Sequence, residues 1–82
     1  MEDLYVYHKQ FGKCKVIALF RDIALVELKN NVEKYVVTIG LSKKNNAWLK
    51  GMYYRTFDDA LTAFGYFLQD FYEVIIWDLG FS

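Results

Sequence analysis

The strongest constraint on how this 82-residue chain folds is the spacing of apolar side chains between positions 57 and 71. Thr56 stands where an N-cap is needed, because its hydroxyl accepts a hydrogen bond from an amide of the first turn. Asp58 and Asp59 place negative charge at the positive end of the helix dipole, and Asp59 takes the return position of a capping box. Apolar residues then recur in steps of three and four, as one face of a helix requires: Phe57, Ala60, Leu61, Phe64, Phe67, Leu68 and Phe71. We therefore predict an amphipathic helix that starts after Thr56.

The far end of this helix is less sharply defined. Gly80 is a suitable C′ residue, which favours a helix that continues to Leu79. Residues 74–77 have strand propensity instead, and an acidic last turn opposes the helix dipole. We expect the helix to continue into segment 74–79, with a strand as the alternative.

The sequence before the helix has the character of β-structure. Segments rich in β-branched and aromatic residues cover 4–9, 14–20, 23–29, 34–41 and 47–55, with turn residues between them. In the second segment, Val16, Ala18 and Phe20 are expected on one face. Short connections imply antiparallel neighbours. The prediction is an α+β fold, in which an antiparallel four- to five-stranded meander sheet is followed by one amphipathic C-terminal helix, as a single domain over residues 1–82.

Composition and charge narrow the class of protein. Hydrophobic residues make up 55% and aromatic residues 20%, which excludes a disordered chain. No apolar run approaches the roughly 20 residues of a membrane span, and the first residues are acidic where a signal peptide is basic. A single cysteine, Cys14, cannot form an internal disulfide. We expect a cytoplasmic protein with no membrane association.

The chemistry-bearing residues do not form an enzyme motif. His8 is the only histidine and Cys14 the only cysteine, too few for a zinc site of about four ligands. No phosphate-binding glycine loop or nucleophile elbow is present in the sequence. Asp58 and Asp59 diverge by about 100° on a helix, so capping explains them better than a shared site. We expect no catalytic residue, no metal and no cofactor.

A resemblance adds to this picture. The chain combines a strand with Tyr35-Val36-Val37, a polar turn, the pattern Trp48-x-x-Gly51-x-Tyr53 and a capped helix that carries Ala60 and Phe64. This combination resembles small uncharacterised proteins of Firmicutes and of their phages and plasmids. It covers residues 34–71, about half of the chain. The resemblance implies a small accessory protein encoded by a mobile element.

Charge is segregated along the chain. Residues 1–55 hold all ten basic residues and five acids, and residues 56–82 hold five acids and no base. An acidic helix beside a basic sheet favours head-to-tail or antiparallel self-association, or docking of the helix onto a basic partner. We therefore predict a non-enzymatic protein–protein interaction module, an inhibitor or modulator of a host protein if the resemblance holds. The predicted partner-binding residues are three apolar anchors and three acids around them: Tyr66, Ile76, Trp77, Asp70, Glu73 and Asp78.

Two further interpretations stay open. The first is nucleic-acid binding, in which sheet aromatics stack on bases and basic residues meet phosphates; the candidates are Tyr5, Tyr7, Tyr35, Trp48, Tyr53 and Tyr54 with Lys15, Lys43, Lys44, Lys50 and Arg55. Strand propensity and core packing explain the same aromatics. The second is a prediction and not an alternative: the chain is expected to form a homodimer, since one helix covers one face of a sheet while Val36 and Val37 make both faces of their strand apolar. Ile76 and Trp77 add apolar surface beyond the helix face.

Overall fold

The fold is an antiparallel sheet of five strands followed by one long helix, as the sequence predicts. The structure, a computed structural model, describes the backbone of residues 4–29 and 31–78 and the side chains up to residue 69. The strands are β1 (Leu4–His8), β2 (Gly12–Phe20), β3 (Ile23–Glu27), β4 (Tyr35–Ile39) and β5 (Lys50–Tyr54), and the helix is α1 (Phe57–Asp78). No helix of the described part is long and apolar enough to cross a membrane.

Each strand pairs with its neighbour in sequence, so the sheet order is β1-β2-β3-β4-β5. Residues 21 and 22 form a two-residue connection between β2 and β3, in which Arg21 adopts a φ of 58°. Such left-handed positions match the twist of the strands that a tight hairpin joins. The β3–β4 and β4–β5 connections are longer, and their side chains reach back over the sheet.

A bulge in β2 changes which side chains face the core. Val16 lies opposite Val26, whereas Ala18 lies opposite Leu25, which leaves Ile17 as an extra residue. The extra residue reverses the alternation of the strand. The prediction that Val16 and Ala18 share a face with Phe20 is therefore wrong: Val16 and Ala18 belong to the cores on opposite sides of the sheet.

The helix starts as predicted. The Asp59 amide donates to Thr56 Oγ1 at 3.2 Å, the hydrogen bond expected of an N-cap. The backbone is helical through Asp78, so the strand alternative for residues 74–78 is wrong. Leu79 lies outside the described residues.

Only part of the predicted apolar face of α1 is covered. Ala60 and Phe64 are buried against the sheet, where they share a core with Ile23, Leu25 and Val37. We call this side of the sheet the helix face. Leu61 is still 46% exposed, so the apolar arc of the helix is wider than the sheet beneath it. The side chain of Phe71 lies outside the described residues.

The opposite side of the sheet, which we call the inner face, has its own core. The sheet curls around this core until β1 meets the β4–β5 connection. The Tyr7 amide donates to Asn46 Oδ1 at 3.2 Å, and the ring of His8 stacks on Trp48 with centroids 4.3 Å apart. Buried residues of four strands and of the segment after β3 line the curl: Val6, Cys14, Val16, Ala24, Val26, Leu28 and Val36.

The curl removes one of the two reasons for expecting a dimer; the other, apolar surface at Ile76 and Trp77, concerns side chains outside the described residues. Val36 and Val37 are both fully buried within one chain, on the inner face and the helix face respectively. The premise that one apolar face of β4 needs a second chain to cover it is therefore wrong. Self-association itself stays a prediction.

Thr38 is a polar residue buried among the apolar side chains of the sheet. It is fully buried, and its Oγ1 has no hydrogen-bond partner among the described residues. It pairs with Ala24 on one side and Gly51 on the other, and both neighbours are too small to offer a side-chain partner. A buried hydroxyl without a partner keeps its desolvation cost.

Replacing Thr38 with valine should therefore stabilise the protein. Thr38→Val keeps the shape of the side chain and removes the hydroxyl, which should raise the free energy of unfolding by about 1 kcal/mol in urea denaturation. Thr38→Ser is the matched control, because it keeps the hydroxyl and loses the methyl group; it should be destabilising. A valine variant that is less stable than the wild type would show that the hydroxyl does have a partner.

Candidate functional site

The outward side of α1 is the first candidate for an interaction surface. Tyr66 is 68% exposed, and Gly65 next to it is also exposed, with open space where a Cβ would lie. Leu61, five residues earlier, is also exposed, but it lies about 140° around the helix axis from Tyr66. Single exposed apolar side chains are common on protein surfaces, so Tyr66 is a candidate anchor and does not by itself mark an interface.

The helix places the six predicted partner-binding residues as follows. Tyr66 is exposed, as an anchor must be. The backbone positions of Asp70, Glu73 and Trp77 follow Tyr66 by four, seven and eleven residues, which places all four on one side of the helix. Ile76 and Asp78 stand at other angles around the axis, so they belong to different sides. The side chains of the other five predicted residues lie outside the described part of the chain: Asp70, Glu73, Ile76, Trp77 and Asp78.

The charge of this surface has one sign. Asp58 and Asp59 are exposed in the first turn, and no basic residue occurs anywhere in α1. Negative charge at the helix N-terminus is favourable for the helix and remains available to a basic partner. The helix therefore presents a tyrosine and acids towards solvent.

A second candidate lies at the turn between β1 and β2, where four rings form a cluster. His8 stacks on Trp48, and Phe11 lies 4.9 Å from His8, 6.0 Å from Trp48 and 5.8 Å from Tyr53, measured between centroids. Trp48 Nε1–H also donates to the hydroxyl of Tyr53 at 3.4 Å. Contacts between aromatic rings at such distances are favourable beyond the area they bury. The cluster fixes the turn against the β4–β5 connection.

His8 organises the backbone of this turn. Its Nδ1 accepts hydrogen bonds from the amides of Gln10 at 3.0 Å and Phe11 at 3.4 Å. Nδ1 must be unprotonated to accept them, so the proton of the neutral ring is on Nε2. Burial lowers the pKa of His8, in the same direction as this arrangement requires.

Cys14 is a core residue. It is fully buried, and its thiol lies 3.3 Å from the carbonyl oxygen of Gly12, to which it donates. Burial raises the pKa of the Cys14 thiol, opposed by a hydrogen bond with the backbone of His8. A buried neutral thiol behaves as a small hydrophobic side chain. Within the described residues, no three His, Cys, Asp or Glu side chains gather in a way that could hold a metal ion.

The aromatics predicted to stack on nucleic acid do not share one surface. Tyr35 and Tyr54 pack in the core under α1, whereas Trp48 and Tyr53 belong to the inner-face cluster. That leaves Tyr5 and Tyr7 on the outer side of β1, where Tyr7 is 58% exposed. Of the basic residues predicted to meet phosphates, Lys43, Lys44, Lys50 and Arg55 are exposed and Lys15 is partly buried in β2.

The sequence did not predict the ring cluster around Phe11. Residues 10–13 were expected to form a turn, and Phe11 had no predicted role. The available signal was a phenylalanine in a turn next to a glycine, a position that usually takes polar residues.

Comparison with known proteins assigns the chain to no family. No protein-family model matches it, and neither the curated proteins nor the solved structures show a significant similarity to it. The resemblance to small Firmicutes and phage proteins therefore stays a prediction. Any assignment of function rests on the surfaces described above.

The hydrogen bonds of His8 predict a pH dependence of stability. The pKa of His8 is lowered in the folded protein from a value of about 6.5 in the unfolded chain. The unfolded chain therefore takes up the proton first as the pH falls, and the free energy of unfolding should decrease below about pH 6.5. Thermal unfolding at several pH values between about 7.5 and 5.5 measures this, above the range where carboxylates titrate.

The variant His8→Asn provides the control. It offers an oxygen acceptor to the same amides and has no titrating group. As the pH is lowered over this range, the melting temperature of the variant should stay constant while that of the wild type falls. Equal slopes for the two proteins would assign the pH dependence to other groups.

Proposed function

We propose that this chain is a non-enzymatic protein–protein interaction module that binds a basic partner surface through the outward side of α1. The observation that carries the proposal is the exposure of Tyr66, at 68%, on a helix whose opposite side is buried and whose only charges are acidic. Tyrosine suits this role because its ring buries a large area and its hydroxyl bonds at the rim.

The acids of the helix support the choice of a basic partner. Asp58 and Asp59 are exposed, and the positions of Asp70 and Glu73 continue the negative charge along α1. Charges at the rim of an interface mainly increase the association rate. Nucleic acid would be repelled by the same side of the molecule.

The biological role that fits this surface is inhibition or modulation of a host protein. A small domain that presents one helix can occupy a groove that the partner needs for its own ligand, the helix-in-groove mode of recognition. The resemblance to small proteins of phages and plasmids is in keeping with that role. On this proposal the protein acts by occupancy, and its effect depends on its concentration relative to its partner.

One observation favours a second candidate function, binding of single-stranded nucleic acid by the outer side of β1 and β2. Lys13 Nζ lies 4.2 Å from the ring centroid of Tyr5, and the exposed Tyr7 pairs with Lys13 across the two strands. Alternating tyrosine and lysine can stack on bases and contact phosphates. The main packing of α1 is on β3, β4 and β5, away from these two strands.

Exchanging one exposed tyrosine at a time distinguishes the two functions. The partner is first captured from the source cells and purified. Tyr66→Ala should weaken binding to this partner by about 30-fold, as expected of a hot-spot residue. Tyr7→Ala removes a ring of comparable exposure from the sheet and should leave that affinity within about twofold. Isothermal titration calorimetry with each purified variant and the purified partner measures both dissociation constants.

Two results would contradict the proposal. The first is a Tyr66→Ala variant that binds the partner as tightly as the wild type. The second is oligonucleotide binding that survives salt at about 0.15 M and is lost in Tyr7→Ala or Lys13→Ala, which would establish the outer side of β1 and β2 as the working surface.

A further inference from the structure

Two adjoining clefts open between the β1–β2 turn and the β3–β4 connection, among the described residues. Their volumes are about 450 and 270 Å³, and Gln10, Phe11 and Asn31 line both of them. The larger cleft is completed by Lys9, Gly12 and Leu28, and the smaller one by Glu33 and Tyr53. Phe11, Leu28 and Tyr53 belong to the inner-face core, whereas α1 packs on the helix face. The clefts are therefore distinct from the helix surface.

Phe11 forms a fixed wall between the two clefts. The rings of His8, Trp48 and Tyr53 pack around it, and the Phe11 amide is held by His8 Nδ1. The ring is half-buried, so part of it remains open to the cleft. A wall that is rigid before binding loses little conformational entropy when a ligand arrives.

Two amide side chains stand beside this wall. Asn31 is oriented by its own turn, since its Nδ2 donates to the carbonyl oxygen of Glu33 at 2.9 Å. Gln10 is exposed, and its backbone amide is held by His8. Each side-chain amide carries an acceptor oxygen and a donor nitrogen, the same pair that a peptide group offers.

The charges beside the two clefts are of opposite sign. Lys9 lies in the larger cleft and Glu33 in the smaller, and both are exposed. This pair provides no net attraction for a polyanion such as nucleic acid, and it suits a ligand without net charge.

We propose that the two clefts together bind a short extended peptide segment that carries an aromatic side chain. The ring lies against Phe11 and Tyr53, and the peptide groups bond to the amides of Gln10 and Asn31. Together the two clefts are large enough to hold a ligand of one or two residues. The chain then has two binding surfaces on opposite sides of its sheet, and this second site does not depend on the function proposed for α1.

Titration followed by ¹H–¹⁵N correlation spectra tests the site with defined probes. N-acetyl-tyrosinamide supplies one ring and two peptide groups, N-acetyl-leucinamide lacks the ring, and adenosine monophosphate has a ring and a charged phosphate. The tyrosine probe should give saturable shifts centred on residues 9–12, Leu28, residues 31–33 and Tyr53, with a dissociation constant of about 1–10 mM for so small a ligand. The other two probes should bind at least threefold more weakly.

A matched pair of glutamine variants isolates the amide contact. Gln10→Ala keeps the backbone amide that bonds to His8 and removes only the side-chain amide, so the tyrosine probe should bind about fivefold more weakly. Gln69→Ala removes an equally exposed amide from α1 and should change nothing. The proposal is overturned if no probe gives saturable shifts at the cleft, if either comparator binds as tightly as the tyrosine probe, or if the two variants behave alike.

Discussion

The packing of Trp48 onto Gly51 is the contact on which the rest of this structure depends. A five-stranded sheet has two faces, and α1 covers only one of them. The other face is closed because the β4–β5 connection carries Trp48 back over the sheet, where its indole nitrogen would lie 2.9 Å from a Cβ at residue 51. Only glycine allows that approach. Trp48 then reaches His8 on β1, and the curl leaves the valines of the inner face buried within one chain.

Closure of both faces decides which surfaces remain for partners. With Val36 and Val37 buried, no apolar face of β4 is left over, and the exposed apolar groups lie elsewhere. Exposed large apolar side chains occur on α1 at Leu61 and Tyr66, on β1 and β2 at Tyr7 and Leu19, and in the connections at Val32 and Leu49. The surface of α1 around Tyr66 is acidic and convex, whereas the clefts beside the half-buried Phe11 are concave and carry charges of both signs. The proposed interaction function depends on the first of these surfaces, and the proposed peptide site depends on the second.

The sequence predicted the elements well because their signals are local. Alternating apolar residues in the strands and steps of three and four in the helix report the period of each element, and Thr56 marks the helix start. The bulge at Ile17 was missed because an inserted residue leaves the composition of a strand unchanged and only shifts its phase. The exposure of Leu61 was missed because the width of the sheet under a helix is a tertiary property. The cleft at Phe11 depends on Trp48, which lies 37 positions away, so no local pattern contains it.

The central claim, that the chain closes its own inner face through Trp48, is tested most directly by comparing two glycine-to-alanine variants. At Gly51 a methyl group would also lie 3.1 Å from the Tyr53 hydroxyl and from Val36, so Gly51→Ala must displace the indole. It should lower the free energy of unfolding by about 1–3 kcal/mol. At Gly65, where a methyl group meets open space, Gly65→Ala should raise it by about 1 kcal/mol through helix propensity. Urea denaturation of both variants beside the wild type should give changes of opposite sign; a Gly51→Ala protein as stable as the wild type would contradict the account.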